Sequence, residues 1–275
     1  MNGILHSKGL LIGLLAVNLI LLTSSLWLDT NVIEIERYNH PSQVLAEHFE
    51  GMRIAHITDF HTRYEGYLER DLIRKLTAIK PDLIFVTGDL VNDNDNIEYC
   101  GELLKQINNI APTVVILGNH DHHFMNITVD TEQLCDTVRG SGACLLVNQA
   151  LEFRRGQDSL YIVGLDDNHL GYDNYQRAVK NIPEDSAQLL LVHCPDIGSE
   201  INLDSVCAIF CGHTHGGQII LPIIGQFLFN TLGKYNSGFY SVDNHEDILF
   251  VNRGIGASSI PLRYGNSPEI AVFEF

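Results

Sequence analysis

From Met52 onward the chain alternates apolar and polar positions at period two over residues 52–58 and breaks at Asp59. A stretch with helical spacing follows over 67–79, and a short apolar run, 82–87, stops at Gly88-Asp89. A second helical stretch covers 97–107, and the run 113–117 ends at Gly118-Asn119-His120-Asp121. This alternation predicts β-α-β-α-β and a parallel sheet with helical coverings. Three later apolar runs, 160–163, 188–192 and 206–211, read as strands, the last two ending at His193 and at Gly212-His213-Thr214-His215. Polar groups at the carboxyl ends of such strands point into one crevice, where α/β proteins bind ligands. Motifs far apart in sequence are therefore expected to meet.

Upstream the pattern changes. Residues 9–28 are an apolar run interrupted by Asn18 and by Thr23-Ser24-Ser25, and Lys8 is the single charged side chain of the first 28 residues. At 1.5 Å per residue these positions reach ~30 Å, which predicts a transmembrane helix. Residues 1–28 are then an anchor, 29–49 a connector and 50–275 one catalytic domain. A cleavable signal is the competing reading, although no Ala-x-Ala site follows and the run exceeds a signal core of ~7–15 residues. Lys8 on one side and Asp29, Glu34 and Glu36 on the other favour a cytoplasmic N-terminus, a single pass of the cell membrane and an extracytoplasmic body.

Composition narrows the chemistry. With 17 Lys and Arg against 34 Asp and Glu, the formal charge of −17 argues against a nucleic-acid partner, because phosphate neutralisation needs cations. None of the six cysteines forms a Cys-x-x-Cys, so a thiolate zinc site is not expected. Cys194, Cys207 and Cys211 fall in strand-like runs and read as core thiols, while a Cys135–Cys144 pair stays open.

The expected crevice would hold Asp59, His61, Asp89, Asn119, His120, His193, His213 and His215. Imidazole, carboxylate and amide oxygen together suit divalent ions of the manganese, iron and zinc group. Asp-x-His after a strand puts both side chains on one face, so Asp59 with His61 can share an ion, and His213 with His215 repeats the geometry. Asp89 has two oxygens with which to bridge two ions roughly 3.5–4 Å apart, the spacing that clamps displacement at phosphorus.

Asp59-Phe60-His61, Gly88-Asp89, Gly118-Asn119-His120-Asp121, His193 and Gly212-His213-Thr214-His215, in that order, resemble the pattern of the calcineurin-like metallophosphoesterases. The resemblance covers about residues 50–275. It implies a four-layer α/β/β/α sandwich in which two sheets face each other. It also implies one metal on Asp59, His61 and His215, a second on Asn119, His193 and His213, and Asp89 between them. A water shared by two divalent ions, manganese foremost with iron, zinc or magnesium also fitting, would attack phosphorus. His120 would serve the leaving oxygen as a catalytic group, with Asp121 orienting its ring. His122 and His123 read as loop histidines, His56 as a packed one, and His169 as a solvent-facing or capping one.

Gly216-Gly217-Gln218 with Leu221-Pro222, Asn252-Arg253-Gly254-Ile255-Gly256, Pro261-Leu262-Arg263 and Gly164-Leu165-Asp166-Asp167 resemble a membrane-associated branch that includes cell-envelope phosphoesterases and a UDP-diacylglucosamine pyrophosphohydrolase of lipid A synthesis. The expected activity is metal-dependent hydrolysis of a phosphoester or pyrophosphate at the membrane, with a lipid-linked substrate in view. If the substrate is UDP-2,3-diacylglucosamine, the body faces the cytoplasm. A metal-bound scaffold for partner binding is the reading from another class, and the leaving-group histidine argues against it. Arg63, Arg253 and Arg263 are the candidates for substrate phosphate, Arg253 first because its flanking glycines let backbone approach a ligand. The apolar stretch 219–229, with Phe227 and Phe229, is read either as core or as a lip facing an acyl chain.

Overall fold

The strands expected at 52–58, 82–87 and 113–117 are β2 (Arg53–Ile57), β3 (Leu83–Thr87) and β4 (Thr113–Ile116), buried on nearly every residue as parallel strands covered on both faces should be. The structure, a computed structural model, describes residues 2–39, 42–122, 129–199, 201–226, 234–258 and 260–275, with backbone only for 2–15, 21, 43, 44 and 247. Helices α1 (Asn2–Asn31) and α2 (Gln43–His48) flank β1 (Glu34–Asn39). Helices α3 (Tyr67–Ile79), α4 (Ile97–Asn108) and α5 (Thr131–Gly140) connect β2 through β5 (Cys144–Leu145). Then come β6 (Gln149–Arg155), β7 (Asp158–Gly164), α6 (Tyr175–Val179), β8 (Gln188–Leu191) and β9 (Val206–Cys211). The hairpin β10 (Ile220–Leu221) and β11 (Gly225–Gln226) precedes β12 (Gly238–Val242), β13 (His245–Val251) and β14 (Glu269–Glu274).

Two six-stranded sheets result, in the orders β1-β14-β2-β3-β4-β5 and β12-β13-β9-β8-β7-β6. They pack face to face: Ile54, Phe85 and Ile116 of the first share one core with Ile162, Leu189, Phe210 and Phe250 of the second. The other face of the first sheet is covered by Leu72 and Leu76 of α3, Leu103 and Leu104 of α4, and Leu134 and Val138 of α5. Over the second sheet the covering is thinner, with α6 contributing Tyr175 and Ala178 beside the loop residues Ile201 and Leu203. The fold is thus mixed α/β with two central sheets.

The stretch 29–49, expected to be a connector, carries structure. β1 runs parallel to β14, from Glu34 opposite Glu269 to Asn39 opposite Glu274, and Tyr38 packs on Phe273, Phe250 and Phe239. An edge strand needs only one covered face, so Glu34, Glu36 and Arg37 mask it in the pattern. Leu45 and Phe49 of the next turn enter the inter-sheet core.

The expected transmembrane helix is not found: among the described residues no helix is long and apolar enough to cross a membrane. Helix α1 does run the length of the apolar segment, but its described side chains begin at Ala16.

Candidate metal centre

Each motif leaves the carboxyl end of a parallel strand: Asp59 and His61 after β2, Asp89 after β3, Asn119 after β4, His193 after β8, and His213 and His215 after β9. β13, parallel to β9, leads into residues 252–256 on the same side. The backbone turns sharply there. Asp59, His61, Asp89, His213 and His215 have φ values of 53°, 43°, 54°, 71° and 52°, in the left-handed region that costs a non-glycine residue roughly 1–2 kcal/mol each. The motif glycines make room: a Cβ on Gly118 would collide with the Asp89 carboxylate, and one on Gly212 with that of Asp59.

Two donor sets converge. Asp59, His61, Asp89 and His215 bring one ligand atom each within 4.8 Å of the others, and Asp89, His193 and His213 do the same. In the first set His61 Nε2 lies 3.0 Å from His215 Nε2 and 3.4 Å from Asp89, and His215 Nε2 lies 3.3 Å from Asp59. In the second, His193 Nε2 is 3.3 Å from Asp89 and 3.2 Å from His213 Nδ1, which is 2.9 Å from the Asn119 side-chain oxygen. His193 Nδ1 sits 2.7 Å from the Thr87 carbonyl, its donor side fixed there, which leaves Nε2 to face the centre.

Electrostatics follow from burial. Burial would raise both carboxyls, but His215 beside Asp59 and His193 beside Asp89 override it and hold them below the usual carboxylate range. His193 shows the converse, because burial lowers it yet Asp89 and Asp59 raise it to about 10. His61 is pushed well below its ordinary value and His213 down to about 3, in each case mainly by burial. The centre therefore keeps two ionised carboxylates beside the neutral rings of His61 and His213 and a protonated His193, whose Nε2 proton a divalent cation would displace, and the donor set fits such an ion.

The sequence-derived roles divide here. His120 borders the centre, its ring 4.7 Å from that of His61 and its backbone N–H donating to Asp89 at 2.9 Å. The Asp121 carboxylate accepts the backbone N–H groups of Leu90 at 2.8 Å, Gly118 at 2.9 Å and Val91 at 3.3 Å, so it holds two motif loops together. Burial and the neighbouring Asp89 raise it to about 7.

Arg63 donates to the Ser258 carbonyl at 3.0 Å and lines a cleft of about 310 Å³ that reaches His61. Arg263 is fully buried, its guanidinium donating to the carbonyls of Gly256, Arg253 and His215, which leaves no surface for phosphate. Burial lowers it to about 10. Arg253 is likewise committed, to Glu269 at 3.0 Å, Glu34 at 3.1 Å and Glu36 at 3.4 Å. Both were expected at substrate; long side chains beside glycines find the nearest carbonyls and carboxylates first.

Other neighbours gave no signal in sequence. His122 pairs with Asp166 at 2.8 Å, the His169 ring lies 4.9 Å from His213, and Thr87 meets His193 through its backbone carbonyl. His169, Cys194 and His213 also approach one another, but burial pushes the Cys194 thiol up to about 12 and keeps it protonated. His56 is a packed histidine between the sheets, and all six cysteines are free, so Cys135 and Cys144 are not bonded. His123 and the aromatics Phe227 and Phe229 lie outside the described residues.

Two facing sheets with Asp and His loops at the strand ends define a metal-dependent phosphohydrolase, and the chain belongs to the calcineurin-like phosphoesterases, whose family model matches residues 52–217. That family uses a dinuclear metal centre, and the buried Asp and His cluster is able to bind metal. The chain is similar to an uncharacterized metallophosphoesterase, YkuE, of Bacillus subtilis, 31% identical over 253 residues that cover 90% of this chain and 87% of the relative. The phosphodiesterase YaeI of Escherichia coli is 28% identical, with 81% of each chain covered. The UDP-2,3-diacylglucosamine pyrophosphatase LpxG of Chlamydia trachomatis is 23% identical, covering 89% of this chain and 90% of its own.

Proposed function

We propose that the chain hydrolyses a phosphoester or pyrophosphate of a lipid-linked compound at a membrane, using two divalent ions, manganese foremost. Asp59, His61 and His215 would hold one ion and Asn119, His193 and His213 the other, with Asp89 shared by the two sets. The observation that carries this reading is that both donor sets include Asp89 at the ends of parallel strands. Ions bound there would supply the Lewis acidity for attack of water at phosphorus.

The chain's own groups do the rest. The Thr87 carbonyl fixes the His193 tautomer, and the backbone N–H of His120 holds one Asp89 oxygen in place. The His120 ring, at the edge of the centre, is positioned to give a proton to the leaving oxygen. Arg63, in the cleft beside His61, forks onto a phosphate oxygen. Full-length protein with manganese should cleave bis-p-nitrophenyl phosphate, and Asp89→Asn should abolish this with an unchanged circular dichroism spectrum. Equal turnover by the variant would refute the dinuclear reading, and a folded, metal-loaded wild type inert to phosphoesters would favour a scaffold.

The apolar run of residues 9–28 and the branch-like motifs support location at a membrane. Protease accessibility in spheroplasts separates an extracytoplasmic body from a cytoplasmic one. LpxG supports a second reading, a UDP-2,3-diacylglucosamine pyrophosphatase, which requires the cytoplasmic face and release of UMP.

A further inference from the structure

The loop 256–266 ties three features together. Its residues Gly256, Ala257 and Pro261 line the cleft that reaches His61, together with Thr30 and Asn31 at the end of α1. The same loop grips that helix: the backbone N–H of Arg263 donates to the Thr30 hydroxyl at 2.9 Å, and that of Gly265 to the Asp29 carboxylate at 2.8 Å. It also carries the hairpin β10–β11, because the N–H of Ile220 donates to the Tyr264 carbonyl at 2.8 Å. The hairpin tip and the helix end are thus both fixed to one wall of the cleft.

Both present apolar side chains to solvent. At the tip Ile223 is fully exposed and Ile224 73% exposed. Ile223 has φ of 73°, a strained setting for a β-branched residue that is retained with its side chain projecting outward. Trp27 and Leu28 are each 50% exposed at the end of α1, and the Trp27 ring packs 5.4 Å from that of Tyr67, a lining residue of the cleft. Ile260, in the loop itself, is 42% exposed.

We propose that the Ile223–Ile224 tip and the Trp27 end of α1 form a bilayer-contact surface that seats the cleft against the lipid headgroups, so that a phosphate compound with an apolar tail passes from the bilayer along Trp27 and Tyr67 to the metal centre. Lipid is the occupant because Val17, Leu19, Ile20 and Leu22 of α1, which fall on different sides of the helix, are all exposed, and a protein groove covers one side of a helix whereas acyl chains surround it. An aromatic ring at the end of such a run belongs at the headgroup level. Isoleucines on a short hairpin are suited to shallow insertion. The proposal rests on the phosphohydrolase reading above and adds where its substrate enters.

Trp27 is the only tryptophan of the chain, so fluorescence reads the contact directly. In full-length protein reconstituted with phosphatidylglycerol and phosphatidylethanolamine vesicles, brominated acyl chains should quench Trp27. In Trp27→Phe/Ile223→Trp they should quench the tip residue as well. Emission of the tip tryptophan that stays at the water-exposed wavelength, unquenched, would overturn the proposal. With manganese, Ile223→Ser/Ile224→Ser should lower hydrolysis of a long-chain p-nitrophenyl phosphodiester in vesicles by at least about tenfold, with bis-p-nitrophenyl phosphate in solution turned over as before. Equal loss on both substrates, or on neither, would also overturn it. If the wild type cleaves neither ester, the hydrolase reading fails while the quenching still answers for the surface.

Discussion

The strand-end loops and the segment 252–269 both line the centre, yet they carry their polar residues in opposite ways. Asp59, Asp89, His193 and His215 are short side chains on backbone held within a few ångströms of one another, so their position is set by where parallel strands stop. Arg253 and Arg263 are long side chains on loops, and they reach past the centre to Glu269 and to the Gly256 carbonyl. A residue with few rotatable bonds after a strand has its function decided by topology, whereas an arginine takes the best acceptor within about 7 Å. The two regions cooperate: Arg263 and Asn266 both donate to the backbone carbonyl of His215, so the second region braces a ligand of the first.

The largest separation between the regions should come from Asp89→Asn. Its hydrolysis of bis-p-nitrophenyl phosphate should fall by about 10²–10³-fold or more, and elemental analysis should find fewer than two metals per chain. Full metal content with normal turnover would place the centre elsewhere. Arg263→Leu should act on stability, costing about 2–4 kcal/mol in urea unfolding because several buried carbonyls lose their donor. A normal midpoint together with a raised KM would instead return Arg263 to the substrate.

Arg63→Ala is the counterpart that should behave as a ligand for substrate. KM for the same ester should rise about tenfold, close to 1.4 kcal/mol, with stability changed by less than about 0.5 kcal/mol. The smallest effect is expected at the joint behind α1, where Asp71 accepts from Lys75 at 2.8 Å and Lys75 also donates to the Ile33 carbonyl. Burial opposes ionisation of Asp71, but the hydrogen bonds from Lys75 and Arg74 outweigh it and hold the carboxyl below its ordinary value. A carboxyl so lowered stabilises the fold above its unfolded pKa, and that contribution is lost as pH falls through the folded value. Asp71→Asn should therefore lower Tm at about pH 6 by a few degrees, and the gap from wild type should close toward about pH 3. A gap that persists or widens in acid would mean that packing, not charge, fixes this joint.

Much of the first sheet was legible because β2, β3 and β4 are buried runs separated by helices of strong periodicity, and α3 begins and ends where its pattern does. β1 was missed because an edge strand tolerates Glu34, Glu36 and Arg37, and β5 because two residues carry no period. In the site, Asp59, His61, Asp89, Asn119, His193, His213 and His215 were legible as a set through their placement after strands. The turn of Asp121 toward backbone and the pairing of His122 with Asp166 were not, since both depend on loops that meet only after folding.

By itself the sequence determined the buried strands β2, β3, β4, β8 and β9, which polar residues follow them, and that these residues suit divalent metals, because hydrophobic period and residue chemistry are local properties of the chain. Tertiary structure alone decided that five of the motif residues sit in left-handed backbone and that Arg253 and Arg263 serve as struts. It also decided that one loop holds the end of α1, the apolar hairpin tip and the wall of the cleft. Such relations join residues tens to hundreds of positions apart, and their energies exist only once two sheets have packed and excluded water between them.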